Sequence, residues 1–265
     1  MKNLVINADD FGFTSDVNAG IVHAHREGVL TSTTLMATGD AFDDAIRLAK
    51  ENPTLDVGCH LVLIQGRALT TGRPFPDTPA QVAVSMWKHE ASATYAELRA
   101  QIEKIQSAGI RATHLDSHKH THILPQIFRM VVRLAHEFRV PYVRLPLDET
   151  APYARTVCRA IRPLYSRVAA KHGVRMTDHF LGYRLTGTLT ETTLLAALAK
   201  LREGTTEFMC HPGYLGPELQ RAATRLKQSR VRELEALTSP RVRRFMDEAG
   251  VRLATFDTAT LVGRE

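Results

Sequence analysis

Cysteine is scarce in this sequence. The three present in 265 residues, Cys59, Cys158 and Cys210, lie far apart and lack the paired spacing of a zinc knuckle or redox motif, so disulfides are not expected. No run of about twenty apolar residues occurs, which argues against a membrane-spanning helix. The opening Met1-Lys-Asn-Leu-Val-Ile6 enters a strand-like run and lacks the apolar stretch of a secretory signal, so the cytoplasm is the expected compartment. Nothing resembles a disordered tail, a collagen-like repeat or an internal duplication. With 44% hydrophobic and 23% charged residues the composition is that of a globular protein, long for one domain but within reach of one α/β barrel.

The net charge of +6 would suit a membrane surface, nucleic acid or an acidic substrate without choosing among them. Much of the excess lies between Arg221 and Arg244, where basic residues alternate with Glu and Leu at helical spacing, the pattern of a solvated helix face. No nucleic-acid partner is expected on this basis.

One stretch is dense in ligand-type side chains. His114-Leu-Asp-Ser-His-Lys-His-Thr-His122 packs four histidines and an aspartate into nine positions at period two, which on a strand would place them on one face. Neutral imidazole is the commonest metal ligand, and a metal site is the first hypothesis; a solvated loop with chance histidines is the alternative. Four imidazoles are too many for one catalytic ion, which usually takes three protein ligands and keeps a position open.

Along the chain, strands alternate with helices. Leu4–Ile6 reads as a buried parallel strand followed by Asp9 and Asp10, and a helix from Ser15 ends near Gly28. Strands are expected at Ser32–Ala37, Asp56–Val62 ending near His60, Ala112–Asp116, Tyr142–Leu145 holding Arg144, Thr177–Leu181, Glu207–Gly213 ending in His211, and Val251–Phe256. Helices are expected at Asp40–Lys50, Tyr95–Ala108, Pro125–Phe138, Ala154–His172, Glu191–Leu201, Glu218–Leu237 and Pro240–Glu248. Between about 65 and 94 periodicity fails and Gly, Pro and Thr cluster, the mark of a long loop or small cap. Its Phe75, Val84, Met86 and Trp87 would either cover a substrate or pack as a satellite core. The pattern predicts an α/β fold: a distorted (β/α) barrel, TIM-barrel-like with fewer than eight regular strands, forming one domain over 1–265 with a cap or lid insertion.

In such a barrel Asp9, Asp10, His60, His118 and His211, at the ends of four strands, converge on one face. One carboxylate and two imidazoles suit a divalent ion, with zinc foremost and magnesium, manganese or nickel also compatible. The second aspartate would then be free to take a proton from an attacking water. Acidic pairs after a strand also act merely as helix caps.

The motifs Asn7-Ala-Asp-Asp-Phe-Gly12, Gly58-Cys-His60, Thr113-His-Leu-Asp-Ser-His-Lys-His-Thr-His122 and Met209-Cys-His-Pro212, with Leu30–Thr34 and Pro125–Phe128, together resemble the YdjC/ChbG-like carbohydrate deacetylases over nearly the whole chain. The resemblance implies a barrel-like fold and removal of acetyl groups from N-acetylated sugars with one divalent metal. Carried over, Asp10, His60 and His118 become the metal ligands, Asp9 the general base, His211 the proton donor to the departing amine, and Arg144 an orienting partner of Asp9 or a structural cation. His114, His120 and His122 become secondary. Val143-Arg-Leu-Pro-Leu-Asp-Glu149, Tyr183-Arg-Leu-Thr-Gly187 and Cys210-His-Pro-Gly-Tyr-Leu215 look most like the hopanoid-biosynthesis-associated deacetylase subgroup. That implies an N-acetylglucosaminyl bacteriohopanetetrol substrate and peripheral contact with the inner face of the membrane; a homodimer is compatible. Tyr214 joins Phe75 and Trp87 as a substrate-binding candidate. A chitooligosaccharide (diacetylchitobiose) deacetylase is the alternative within the family, and a glycoside hydrolase or a non-catalytic sugar-binding protein the alternatives outside it.

Overall fold

The apolar run that opens the chain makes a longer strand than its aliphatic residues imply. In the computed structural model, which describes residues 1–87, 91–148 and 154–258, β1 spans Lys2–Phe11 and is buried at every position after Lys2. Asp9 and Asp10 therefore lie within the strand instead of after it. There follow α1 (Ser15–Arg26), β2 (Ser32–Leu35), α2 (Phe42–Glu51), β3 (Asp56–Leu61), α3 (Pro79–Trp87), α4 (Ala91–Ser107) and β4 (His114–Ser117). A 3-10 segment, His118–Ile123, leads into α5 (Pro125–Glu137), β5 (Tyr142–Val143), α6 (Ala154–Lys171) and β6 (His179–Leu181). The chain ends with a 3-10 turn at Tyr183–Leu185, α7 (Glu191–Leu198), β7 (Gly204–Cys210), α8 (Pro217–Arg221), α9 (Gln228–Leu237), α10 (Pro240–Glu248) and β8 (Val251–Leu253).

All strand pairs are parallel. Seven strands run in the order β5-β4-β3-β2-β1-β7-β6, and β8 lies off this path, pairing only with the first residues of β1. The wall curls until its edges meet, among the described residues, through a single parallel bridge, Tyr142 to Arg175, just upstream of β6. This is a distorted α/β barrel with fewer than eight regular strands in its wall, as the alternation predicts. One apolar cluster, from Leu4 to Val251, fills the space between wall and helices. Among the described residues no helix is long and apolar enough to cross a membrane.

Three local readings are corrected. The period-two alternation of histidines stops at Ser117, because Lys119 and His120 take left-handed backbone angles (φ 52° and 53°) inside the 3-10 segment, and His118, His120 and His122 diverge. The stretch 65–94 is not structureless: an antiparallel bridge joins Arg67 to Pro74, α3 buries Val82 and Met86 in the core, and α4 begins at Ala91, four residues before Tyr95. The helix expected over Glu218–Leu237 is two helices, since Ala222 leaves helical geometry (ψ 144°) at the end of α8. Close packing supports the site from behind. A Cβ at Gly20 of α1 would collide with the backbone of Gly213, so the loop after β7 lies directly on that helix.

His114 is a structural residue of this wall. Its ring stacks on Phe256 at 3.8 Å, with Nε2 3.0 Å from Asn7 Oδ1 and Nδ1 2.9 Å from Thr113 Oγ1. His122 is equally enclosed, bonded to Ser117 Oγ at 2.6 Å and the Arg144 carbonyl at 2.9 Å. Burial pushes His114 down to about 3 and His122 to about 4. A base that resists protonation when folded takes up its proton first in the unfolded chain, so stability is full above about 6.5 and falls as pH drops toward those values. Urea unfolding is expected to show a loss of up to about 2 kcal/mol per ring between pH 6.5 and 5, shallower in His122→Gln. Parallel pH profiles for variant and wild type remove His122 from that linkage.

Candidate metal centre

The site begins with an irregular strand end. On an unbroken strand Asp9 and Asp10 would point to opposite faces. The β1–β2 register shifts between Ala8 and Phe11, and Asp10 takes φ 71°, a left-handed conformation that aspartate tolerates better than most residues. Both carboxylates thereby reach the barrel mouth.

Asp9 is held by Arg144, which follows β5. Nη2 and Nη1 donate to Asp9 Oδ1 and Oδ2 at 2.7 and 2.8 Å, and Asn7 Nδ2 donates to Oδ1 at 3.0 Å. The same guanidinium meets Asp116 Oδ2 at 2.6 Å and donates from Nε to Glu207 Oε1 at 2.6 Å. Burial, reinforced by Asp116 and Asp9 against the pull of Arg144, lifts Glu207 to about 7.

Asp10 serves a second cluster. Its Oδ2 accepts from Arg230 Nη2 at 2.5 Å, which leaves Oδ1 turned to His118 Nδ1 at 3.1 Å and His60 Nε2 at 3.4 Å. The two imidazole nitrogens are 3.3 Å apart. Burial works against charge on both Asp10 and His60, yet the neighbours win: Arg230, His118 and His60 hold Asp10 well below the carboxylate range, and Asp116 with Asp10 raises His60 to about 10.

These three atoms fit a divalent ion. A tetrahedral zinc with ligands at about 2.0–2.1 Å keeps them about 3.3 Å from one another, the spacing found between Asp10 Oδ1, His60 Nε2 and His118 Nδ1. His60 Nδ1 lies 2.7 Å from Asp116 Oδ1, the carboxylate support that fixes a ligating ring and leaves Nε2 free to bind. His118 alone keeps exposure, at 22%, so the triad opens to solvent on its side. A second triad of suitable spacing, Asp9, His60 and Asp116, is already neutralised by Arg144 between its two carboxylates.

His211, one residue past β7, is buried and its Nδ1 has no partner; its backbone N–H donates to Glu233 Oε2 at 2.5 Å. Burial lowers its imidazole to about 4.

The family model described as YdjC-like protein matches residues 3–248. The chain belongs to this family. It is 36% identical over 262 residues to a carbohydrate deacetylase of Geobacillus stearothermophilus, covering 95% of this chain and 96% of that one. A chitooligosaccharide deacetylase of Yersinia enterocolitica is 32% identical over 265 residues, with 96% and 98% covered. Among solved structures, a candidate cellobiose-phosphate cleavage protein from Enterococcus faecalis superposes with a TM-score of 0.81 at 29% identity, covering 97% of this chain and 98% of its own. A lactam utilization protein from Thermus thermophilus shares the fold at a TM-score of 0.54 and 17% identity, covering 96% of this chain and all of its own.

Among the residues named from sequence, Asp9, Asp10, His60, His118, Arg144 and His211 gather at this mouth of the YdjC-like barrel. Phe75 is half-buried against the core, and the Trp87 side chain lies outside what the structure describes. Tyr214 turns away: its hydroxyl meets His23 Nδ1 on α1, eight residues and about 12 Å along that helix from its start. Asp116 was read from sequence only as one member of the ligand-type cluster, and Glu207, Arg230 and Glu233 had no sequence role. The last two overturn the reading of 221–244 as a solvated face, being 1% exposed each. Their signal was positional: Arg230, Glu233, Leu234 and Leu237 follow i, i+3, i+4, i+7, the inner stripe of a helix.

Metal analysis and calorimetric titration discriminate the two triads. Alanine at Asp10, His60 or His118 is expected to abolish stoichiometric binding, Asp116→Asn to weaken it about 10–100-fold, and Asp9→Asn to leave the ion bound. An Asp9→Asn protein without metal beside a His118→Ala protein that keeps it reassigns the ion to Asp9, His60 and Asp116.

Proposed function

We propose that the protein is a metal-dependent carbohydrate N-deacetylase that hydrolyses the acetamide of an N-acetylglucosamine moiety, releasing acetate and a free amino sugar. The observation that carries this reading is the separation of duties at the mouth: a three-ligand ion site at Asp10, His60 and His118, beside a distinct carboxylate and a distinct imidazole, Asp9 and His211. Relatives named carbohydrate and chitooligosaccharide deacetylases support it.

An ion in the triad would supply Lewis acidity, acidifying a water and polarising the acetyl carbonyl. Asp9 takes the proton lost by the attacking water. Arg144 orients Asp9 and balances its charge, and Asn7 fixes one of its oxygens. Departure of the sugar nitrogen requires a proton, for which His211 is the donor. Its ring rests uncharged at neutral pH because burial disfavours imidazolium, so the proton it passes to the nitrogen is one it first takes up from solvent as negative charge builds on the substrate beside it. A glycosidase needs two carboxylates free to flank the scissile bond. Here Asp116 is engaged by Arg144 and His60 and Asp10 by Arg230, so Asp9 has no second free carboxylate to work with, which favours amide hydrolysis.

For the substrate, a hopanoid-linked N-acetylglucosamine follows from the subgroup resemblance, with peripheral membrane contact as its consequence. Diacetylchitobiose is the second reading, favoured by the Yersinia relative. Both are tested by incubating metal-loaded protein with each compound and following loss of one acetyl mass; a shortened glycan with a new reducing end and no acetate replaces the deacetylase reading with a glycosidase. Asp9→Asn and His211→Ala are each expected to keep the ion and lose roughly two to four orders of magnitude in kcat. Near-normal turnover in either variant removes that residue from the chemistry.

A further inference from the structure

A line of polar contacts climbs through the wall from the floor of the barrel to its mouth. It starts at Asp56, the first residue of β3, whose Oδ2 accepts from the Phe256 N–H at 2.7 Å. Asp56 Oδ1 lies 2.5 Å from Thr113 Oγ1, and that hydroxyl lies 2.9 Å from His114 Nδ1. His114 Nε2 is 3.0 Å from Asn7 Oδ1, and Asn7 Nδ2 is 3.0 Å from Asp9 Oδ1. All five residues are buried. The His114 ring has one orientation: both nitrogens meet polar partners, Phe256 covers one face, and a Cβ at Gly58 would stand 2.6 Å from Nδ1.

The hydrogens along this line are fixed from its upper end. Arg144 donates to both oxygens of Asp9, so Asp9 is an acceptor toward Asn7 as well, and the amide turns its NH2 to Asp9 and its carbonyl to His114. His114 Nε2 must therefore carry a hydrogen. Burial keeps this imidazole uncharged at neutral pH, so Nδ1 is a bare acceptor and takes the one hydroxyl hydrogen of Thr113. Nothing is left for Thr113 to give Asp56. Two oxygens with no hydrogen between them would repel at 2.5 Å, so the hydrogen in that contact comes from the carboxyl.

We propose that Asp56 is a positioning residue, held as a neutral carboxylic acid whose O–H starts a one-way chain through Thr113, His114 and Asn7 that keeps the Asn7 amide turned to the Asp9 carboxylate. Reversing any link would present the Asn7 carbonyl to a carboxylate inside the barrel. The surroundings of Asp56 favour the acid. Among the described residues, the charged side chains lining the floor opening beside it are Arg111 and Asp257, which pair with each other at 2.7 Å. Burial pushes the Asp56 carboxyl up from its ordinary range, and the Asp257 charge adds to that. The consequence for the reaction, alignment of Asp9 as the base, rests on the carbohydrate deacetylase reading; the order of hydrogens does not.

Hydrogen positions and turnover are read separately. Carbon-13 spectra of wild type labelled at the aspartate carboxyls, with Asp56→Asn to assign the signal, should show Asp56 protonated at neutral pH, and nitrogen-15 spectra should show the His114 hydrogen on Nε2. A carboxylate at Asp56, or a hydrogen on His114 Nδ1, overturns the chain. Urea unfolding supplies an independent sign. An acid protonated when folded and ionised when unfolded contributes fully below about pH 3.9 and loses that contribution as pH rises. The stability of Asp56→Asn relative to wild type should therefore rise from about pH 4 to about pH 7; a flat or falling difference overturns the acid. In metal-loaded protein Thr113→Val is expected to lose about tenfold in kcat on diacetylchitobiose, the worth of one buried hydrogen bond, with KM unchanged. Thr113→Ser and Asp56→Asn, which keep a donor at the same place, are the conservative variants and should restore turnover. Unchanged kcat in Thr113→Val, or an equal loss in all three variants, overturns the positioning role. Wild type that releases no acetate removes the deacetylase reading, and the spectra then decide the chain by themselves.

Discussion

The structure depends on one buried guanidinium. Arg144 is 1% exposed and touches Asp9, Asp116 and Glu207, three carboxylates drawn from β1, β4 and β7. Without a cation among them their mutual repulsion would forbid such an approach in a medium that screens poorly. Removing one partner of a buried pair typically costs about 3–5 kcal/mol because the survivor keeps its charge without solvent. Arg144 therefore joins strands across the barrel mouth and fixes the Asp9 carboxylate with the same bonds. Its own backbone is held as tightly, N–H to the Leu115 carbonyl at 3.0 Å and carbonyl to His122 Nε2 at 2.9 Å.

A second buried cation divides the site. Arg144 neutralises Asp9 and Asp116, whereas Arg230 takes only the outer oxygen of Asp10 and leaves the inner one to the two imidazoles. Adjacent aspartates thus acquire different chemistry from different partners, and the bulge with left-handed Asp10 makes that partition geometrically open. The elevation of His60 to about 10 has the same origin. The pocket carries more negative charge than its arginines cancel.

Much of this was legible because metal ligands and strand ends have local signatures. The alternation of strand and helix showed the barrel, and Asp10, His60 and His118 stood at strand ends wherever exact boundaries fell. The rest required tertiary information. Nothing local announces that β1 continues through two aspartates, since a run with charged residues stays in a strand only when neighbours on both edges and a buried cation are already present. The histidine alternation misled because period two holds only while φ remains extended, and Lys119 breaks it. Arg230 and Glu233 were hidden by their type: charge was read as exposure although both occupy the inward positions of α9. Tyr214 shows the reverse error, an aromatic beside a functional motif whose side chain follows the helix instead of the mouth.

The barrel's departure from regularity follows from what fills it. In a regular (β/α) barrel the interior is layered with branched aliphatic side chains, and closure is stabilised by packing among them. Here the mouth side of the interior holds Arg144, Asp9, Asp116 and Glu207, all buried, and these groups are satisfied by directional bonds that each demand a set position. Arg144 follows β5 after its two residues, and the strand is too short there to make a ladder with the chain ahead of β6. The charged cluster sits where aliphatic layers would otherwise set the register, beside wall edges that one bridge joins among the described residues. The same interruption brings the ends of β4, β5 and β6 together around an opening, so the charge network that fixes Asp9 also shapes the approach to it.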